Sequence, residues 1–168
     1  MPDGLTRSVD AATRDIAHAH AAEAGVLGWF QTAWLRDKPP LAADVWVFSP
    51  GFDQILVVEH RWRGLVPPGG RVEAGETPRE GAARELSEET GLNLRLADRP
   101  AFAAARSYRS DWPATLNLSY WATADPDCAL DPEADQQARW VQLDAFWRTF
   151  HAQDVAPMKR FVAEVRDR

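Results

Sequence analysis

GGRVEAGETPREGAARELSEETGL, residues 69–92, decides the fold, because the helix inside it is bounded at both ends by the residues themselves. Thr77 is placed as an N-cap, its side-chain oxygen accepting from a backbone N–H that the first turn leaves unpaired. Pro78 suits the first helical position, where its missing N–H costs nothing. Glu80, three residues after Thr77, completes a capping box by reaching back to the N–H of the cap. Ala82, Ala83 and Leu86 favour a helix interior. Gly91 is able to take the left-handed conformation that ends a helix. The spacing therefore predicts a helix over Pro78–Thr90, entered from a glycine-rich and then polar loop.

Glu85, Glu88 and Glu89 stand at i, i+3 and i+4 and so project from one face of that helix. Like charges at this spacing repel by about a few tenths of a kcal/mol per pair. They also lie toward the C-terminal half, where the helix dipole disfavours anions. Local preferences broken twice within five residues mark a place where function overrides stability. A hard divalent cation resolves both conflicts. Magnesium takes carboxylate and carbonyl oxygens, keeps several waters and shares its shell with substrate phosphates. Such an ion polarises a phosphoryl oxygen and lowers the pKa of a coordinated water, and a nearby carboxylate can accept the proton. Arg84 carries a bidentate fork suited to a carboxylate such as Glu76. The plain alternative is a solvated acidic face, the common fate of glutamates on a surface helix. The spacing of the whole segment decides against it.

That spacing resembles a known family. Gly70, five residues, Glu76, seven residues, Arg84-Glu85-Leu86, one residue, Glu88-Glu89, one residue, Gly91-Leu92 fills every fixed position of the Nudix box. At background residue frequencies a chance match is on the order of 10⁻⁹. The resemblance implies a loop–helix–loop catalytic unit on an α/β/α sandwich. By the same match, Glu85, Glu88 and Glu89 would bind divalent cations, Mg2+ or Mn2+ in its place. Glu85 would also act as, or assist, the general base. Glu76 and Arg84 would tie loop to helix, and Gly69 would offer its carbonyl to the metal. A further acid from a later loop is implied as well. Glu133, seven residues before Trp140, is the candidate, with Asp131 and Asp135 behind it. The implied reaction is attack of water on phosphorus without a covalent enzyme intermediate. One departure is Leu65, where many similar proteins carry Trp three residues before the Pro-Gly-Gly; it weakens analogy to any one subclass.

Outward from this unit the pattern is one of strands. Val45–Phe48 and Ile55–Glu59 are rich in β-formers and flank the turn Ser49-Pro50-Gly51-Phe52-Asp53, which predicts a hairpin. Val66–Gly70 reads as a loop. Downstream, Leu92–Leu96, Ala101–Tyr108, Thr115–Thr123 and Arg139–Gln142 read as strands. In Thr115–Thr123, Leu116, Leu118 and Tyr120 alternate with Asn117 and Ser119, as in a half-buried strand. Residues 154–166 predict a helix with Met158, Phe161, Val162 and Val165 on its apolar face. Residues 8–36 read as helix, with a break expected at Gly25 and Gly28; Pro39-Pro40 ends it. Its apolar residues Val26, Leu27, Phe30 and Trp34 would either cover the sheet or meet a second subunit, which leaves a homodimer open. Helices around a mixed sheet make the class α/β or α+β. With the resemblance, the expectation is an α/β/α sandwich with a mixed β-sheet: residues 1–40 an N-terminal helical extension, 41–168 the Nudix hydrolase domain.

Bulk properties fit that reading. A chain of 168 residues suits one domain, and 45% hydrophobic with 26% charged residues is the balance of a soluble globular protein. The single cysteine, Cys128, excludes an intrachain disulfide. A net charge of −6 argues against duplex nucleic acid, though not against a small phosphorylated metabolite held by a metal and a few arginines. No stretch reaches the roughly 20 apolar residues of a membrane span, and MPDGLTRSVD lacks the apolar core of a signal peptide. The expected location is the cytoplasm.

Eight tryptophans are many for this length. Trp46, Trp62, Trp112 and Trp121 lie on or near strands bordering the predicted site, where an indole could stack a nucleobase; core packing is the plain alternative. Trp29, Trp34 and Trp147 read as packing residues. His60-Arg61-Trp62-Arg63 and Arg106-Ser107-Tyr108-Arg109 are small basic and aromatic clusters able to meet phosphate or ribose. From them Trp62, Arg63, Arg106 and Tyr108 are the substrate-binding candidates. The expected function is Mg-dependent hydrolysis of a diphosphate bond in a nucleoside di- or triphosphate or nucleotide sugar. The alternative is a sensor of the same fold that binds a phosphorylated metabolite without turning it over.

Overall fold

The computed structural model describes residues 4–107, 109–145 and 152–167. In chain order the helices are α1 (Gly4–His18), α2 (Val26–Arg36), α3 (Pro78–Thr90) and α4 (Val155–Arg166), the last entered through a 3-10 turn at Ala152–Asp154. The strands are β1 (Ala21–Ala22), β2 (Leu41–Phe48), β3 (Gln54–His60), β4 (Gly64–Val66), β5 (Gly69–Arg71), β6 (Phe102–Arg106), β7 (Thr115–Thr123) and β8 (Ala138–Gln142).

The capping signals act as the sequence implies. The Thr77 side chain accepts from the Glu80 N–H, Glu80 accepts from the Thr77 N–H at 2.8 Å, and Gly91 closes α3 at φ 75°. The strands form one mixed sheet in the order β1-β6-β7-β2-β3-β4, with β5 also paired to β2 and β8 to β3. β2 and β7 run parallel in an eight-residue register from Leu41↔Leu116 to Phe48↔Thr123. The β2–β3 hairpin is antiparallel but pairs only near its turn, at Phe48↔Ile55. Beyond that the strands diverge, and β5 takes the open edge of β2, with Asp44 opposite Gly69 and Ala43 opposite Gly70.

Alternation along β2 and β7 sends side chains to two different cores. Val45, Val47, Leu116, Leu118 and Tyr120 meet Ala12 and Ile16 of α1, Val26 and Phe30 of α2, and Ala82 and Leu86 of α3. On the other face Trp46, Phe48, Ile55 and Val57 meet Met158, Phe161 and Val162 of α4. Helices on both faces of a mixed sheet make this an α/β fold. Val26 and Phe30 therefore cover the sheet.

Four local expectations are corrected. The N-terminal helix breaks after His18; Gly25, at φ 77°, starts α2, and Gly28 lies inside α2 without interrupting it. Val66–Gly70 is not a plain loop, since β4 and β5 reach into both ends of it. Leu92–Leu96 is not a strand: Leu92, Leu94 and Leu96 pack on the α-side core from irregular backbone. β7 is buried on both faces, so neither Asn117 nor Ser119 stands on an open solvent face. Alternation of polar and apolar residues cannot distinguish solvent from a second, polar-lined interior. Tyr108 and Trp147 lie outside the described residues.

Candidate active site

Arg84 organises the acidic face of α3. Its Nε and Nη2 donate to the two oxygens of Glu76 at 2.8 and 3.1 Å, the bidentate pairing that ties the preceding loop to the helix. Nη2 also donates to the Arg71 carbonyl at 3.0 Å, and Nη1 to Glu85 at 2.8 Å and Glu88 at 3.1 Å. The Arg84 hydrogen bonds hold the Glu76 carboxyl below its usual range. Glu85 behaves oppositely. Burial raises it, Glu88 and Glu133 add repulsion, and Arg84 offsets only part. Glu89 is 6% exposed and accepts the Gly69 N–H at 2.8 Å. Burial pushes its carboxyl up to about 7, with the Glu85 and Glu133 charges adding and Arg63 opposing.

Glu133 thus lies within the field of Glu85 and Glu89, and Arg63 within that of Glu89. Asp131 packs elsewhere, its N–H donating to the Thr90 carbonyl at the end of α3. Among the described residues no three His, Cys, Asp or Glu side chains form a ready-made metal cage. The donors present are nevertheless all hard oxygens, mutually repelling and partly desolvated. Magnesium needs no closed protein cage, because it retains waters and completes its shell with phosphate. The residues fit such an ion.

A cavity of about 550 Å³ opens on the far side of Gly69-Gly70. Trp62 and Trp112, 59% and 51% exposed, stand among its lining residues with Trp46, Pro67, Pro113 and Met158. Gly69 and Gly70 border it, and the space at each is short: a side chain at Gly69 would strike backbone, one at Gly70 the movable end of Glu85. A Cβ on Gly70 would sit 2.5 Å from the Glu85 carboxylate. One on Gly69 would sit 2.5 Å from the Ala43 carbonyl oxygen and the Asp44 Cα.

Of the sequence candidates, Trp62, Arg63 and Arg106 all line the cavity. Arg106 is buried there with its guanidinium engaged by Glu23 and by Asp154, so it joins β6 to the segments before α2 and α4. Trp121 does not border the cavity; it packs edge-on against Phe161 at 5.2 Å. The residues that sequence reasoning passed over are Asp44, Asn117 and Asp154. Asp44 carried a signal, a lone acid inside the apolar run Leu41–Phe48. Burial pushes its carboxyl up to about 7, against the hydrogen bond from Asn117 and the nearby Ser119 hydroxyl.

The N-terminal extension reaches the catalytic loop. The Ser8 hydroxyl bonds to the Glu76 carbonyl, and Arg7 pairs with Glu80 and donates to the Gly75 carbonyl at 3.0 Å. Two turns further along α1, the Tyr120 hydroxyl donates to Asp15.

Comparisons with known proteins bear on the family and the fold. The chain is 39% identical over 99 residues to an octanoyltransferase of Myxococcus xanthus, covering 54% of this chain and 27% of that protein. It is 43% identical over 51 residues to "Putative 8-oxo-dGTP diphosphatase YtkD" of Bacillus subtilis, covering 30% and 32%. The chain thus matches about a third or less of the length of these relatives. Among solved structures, an Ap4A hydrolase of C. elegans superposes with a TM-score of 0.64 at 18% identity, over 77% of this chain and 99% of that one; at that identity the likeness is one of fold. The family model of the NUDIX domain matches residues 38–165, spanning both the acidic helix and the cavity, and the chain belongs to that family.

Proposed function

We propose that the protein hydrolyses a diphosphate linkage in a nucleotide, either a nucleoside di- or triphosphate or a nucleotide sugar. The observation that carries this reading is the junction at Gly69-Gly70, where the acidic face of α3 adjoins an aromatic cavity. One end is built of oxygen donors for a cation and phosphate, the other of flat apolar surface for a ring. A diphosphate ester of a ring-bearing group spans both.

Glu85, Glu88 and Glu89, with the Gly69 carbonyl and Glu133, would hold Mg2+, which when bound neutralises phosphoryl charge and acidifies water. Glu85 accepts the proton of the attacking water, its half-buried carboxyl being held above the ordinary range. The water oxygen bonds to phosphorus, a bridging P–O bond breaks, and the bridging oxygen leaves on the second phosphate. Arg84 is a positioning residue for Glu76, Glu85 and Glu88. Trp62 and Trp112 stack the ring, and Arg63 meets the phosphate. Residues 1–40 serve as an extension that steadies the catalytic loop.

The test is release of phosphate and pyrophosphate with magnesium across ordinary and oxidised nucleoside triphosphates, nucleoside diphosphates, ADP-ribose, nucleotide sugars and dinucleoside polyphosphates. Turnover that disappears in Glu88→Gln supports the hydrolase. A ligand that raises the melting temperature without any turnover overturns it in favour of a sensor.

A further inference from the structure

The ring end of the cavity has a polar floor. The Asn117 Nδ2 donates to Asp44 Oδ2 at 2.9 Å and approaches the Ser119 Oγ at 3.4 Å. Its two protons are thus spent inside the floor, leaving the Asn117 carbonyl oxygen as an acceptor. Asp44 Oδ1 is shut off from water and has no hydrogen-bond partner among the described residues. The cation at this end, Arg106, is already matched by two carboxylates, Glu23 and Asp154. Asn117, Asp44 and Asp154 all border the cavity. What the floor lacks is a donor for Asp44 Oδ1.

Buried acceptors without partners discriminate strongly. A ligand that supplies the missing donor gains the bond, whereas one that lacks it leaves the acceptor desolvated and unmet. A phosphate at this end would meet the Asp44 carboxylate and an Arg106 already held by two carboxylates, so the charged part of a substrate belongs at the Gly69-Gly70 side. The ring must offer N–H groups. A ring seated on the floor would present an N–H to the Asp44 carboxylate, whose other oxygen Asn117 holds.

We infer that Asp44, held by Asn117, is a specificity-determining residue that selects a nucleobase carrying an exocyclic amino group. This rests on the nucleotide reading above and deepens it. Trp62 and Trp112 supply affinity for any flat ring, because stacking is tolerant of base identity. Asp44 and Asn117 supply the choice among rings.

Calorimetry of nucleoside monophosphates without metal tests this apart from hydrolysis. The pairs are guanosine against inosine monophosphate, and adenosine against purine riboside monophosphate; each pair differs by one amino group. The expected result is at least tenfold tighter binding of the aminated member of one pair or both. Asp44→Asn, similar in size, turns a donor toward the cavity and is expected to remove that preference. Its affinity for magnesium pyrophosphate, a probe of the phosphate end, is expected to stay unchanged. Equal affinities within both pairs for the unaltered protein overturn the inference and need no variant to read. A preference that survives Asp44→Asn also overturns it, as does a preference set by removal of the ribose 2′-hydroxyl alone. Binding of magnesium pyrophosphate with no nucleotide binding at all overturns the nucleotide reading itself.

Discussion

The acidic end and the cavity end of the candidate site are built by opposite routes. The acidic end is local: Gly69 through Gly91 supply the loop, the capped helix, the three acids and the arginine from one stretch of 23 residues. The cavity end is assembled from β2, β6, β7, the loops around Trp62 and Trp112, and the start of α4. A local unit can be recognised from spacing and altered one residue at a time. An assembled one depends on the whole sheet holding its register.

Substitutions that separate these ends put the comparison at risk. Glu88→Gln should have the largest effect. Turnover should fall by orders of magnitude, while the melting temperature holds, because the Glu88 side chain is half exposed and its repulsion of Glu85 offsets its surface pair with Arg84. Normal turnover would remove Glu88 from the metal-binding set. Arg106→Met should act on the cavity end through stability. It leaves Glu23 and Asp154 without their shared cation, at a cost of about 3 kcal/mol in urea unfolding. An unchanged midpoint would mean that Arg106 does not brace the cavity.

The glycine junction gives a sharper contrast. Gly69→Ala forces its new methyl into the backbone of β2 and should destabilise the fold by about 2 kcal/mol. Gly70→Ala meets only the end of the Glu85 side chain, so it should lower kcat with much less loss of stability. Equal stability losses in the two variants would contradict the junction as described. Trp62→Ala should weaken ring binding by about 1–2 kcal/mol, seen as a higher KM at unchanged kcat. A change in kcat alone would place Trp62 with the chemistry instead. Ser8→Ala is expected to be the mildest, about 1 kcal/mol by thermal unfolding, through its bond to the Glu76 carbonyl. No change there would separate α1 from the catalytic loop.

The misreadings share a cause. Asn117 and Ser119 looked solvent-facing because period two reports which residues share a face, not what covers that face. Leu92, Leu94 and Leu96 looked like a strand by the same alternation, yet they pack on the core without pairing. The two acids that engage Arg106 lie 83 and 48 positions away in the chain, beyond the reach of any local pattern. Trp121 and Trp62 could not be separated in sequence, yet one packs on Phe161 and the other borders the cavity.

By itself the sequence determined the α3 helix with its caps, the spacing of Glu85, Glu88 and Glu89 on one face, and the pairing of Arg84 with Glu76. Those depend on interactions that close within one helical turn or one short loop, where spacing fixes geometry. Only the tertiary structure decided that β2 and β7 run side by side, that Asp44 and Asn117 meet across them, and that α1 rests on the catalytic loop. Asp44 and Asn117 are 73 residues apart in the chain, and what brings them together is the burial of two separate apolar faces on one sheet.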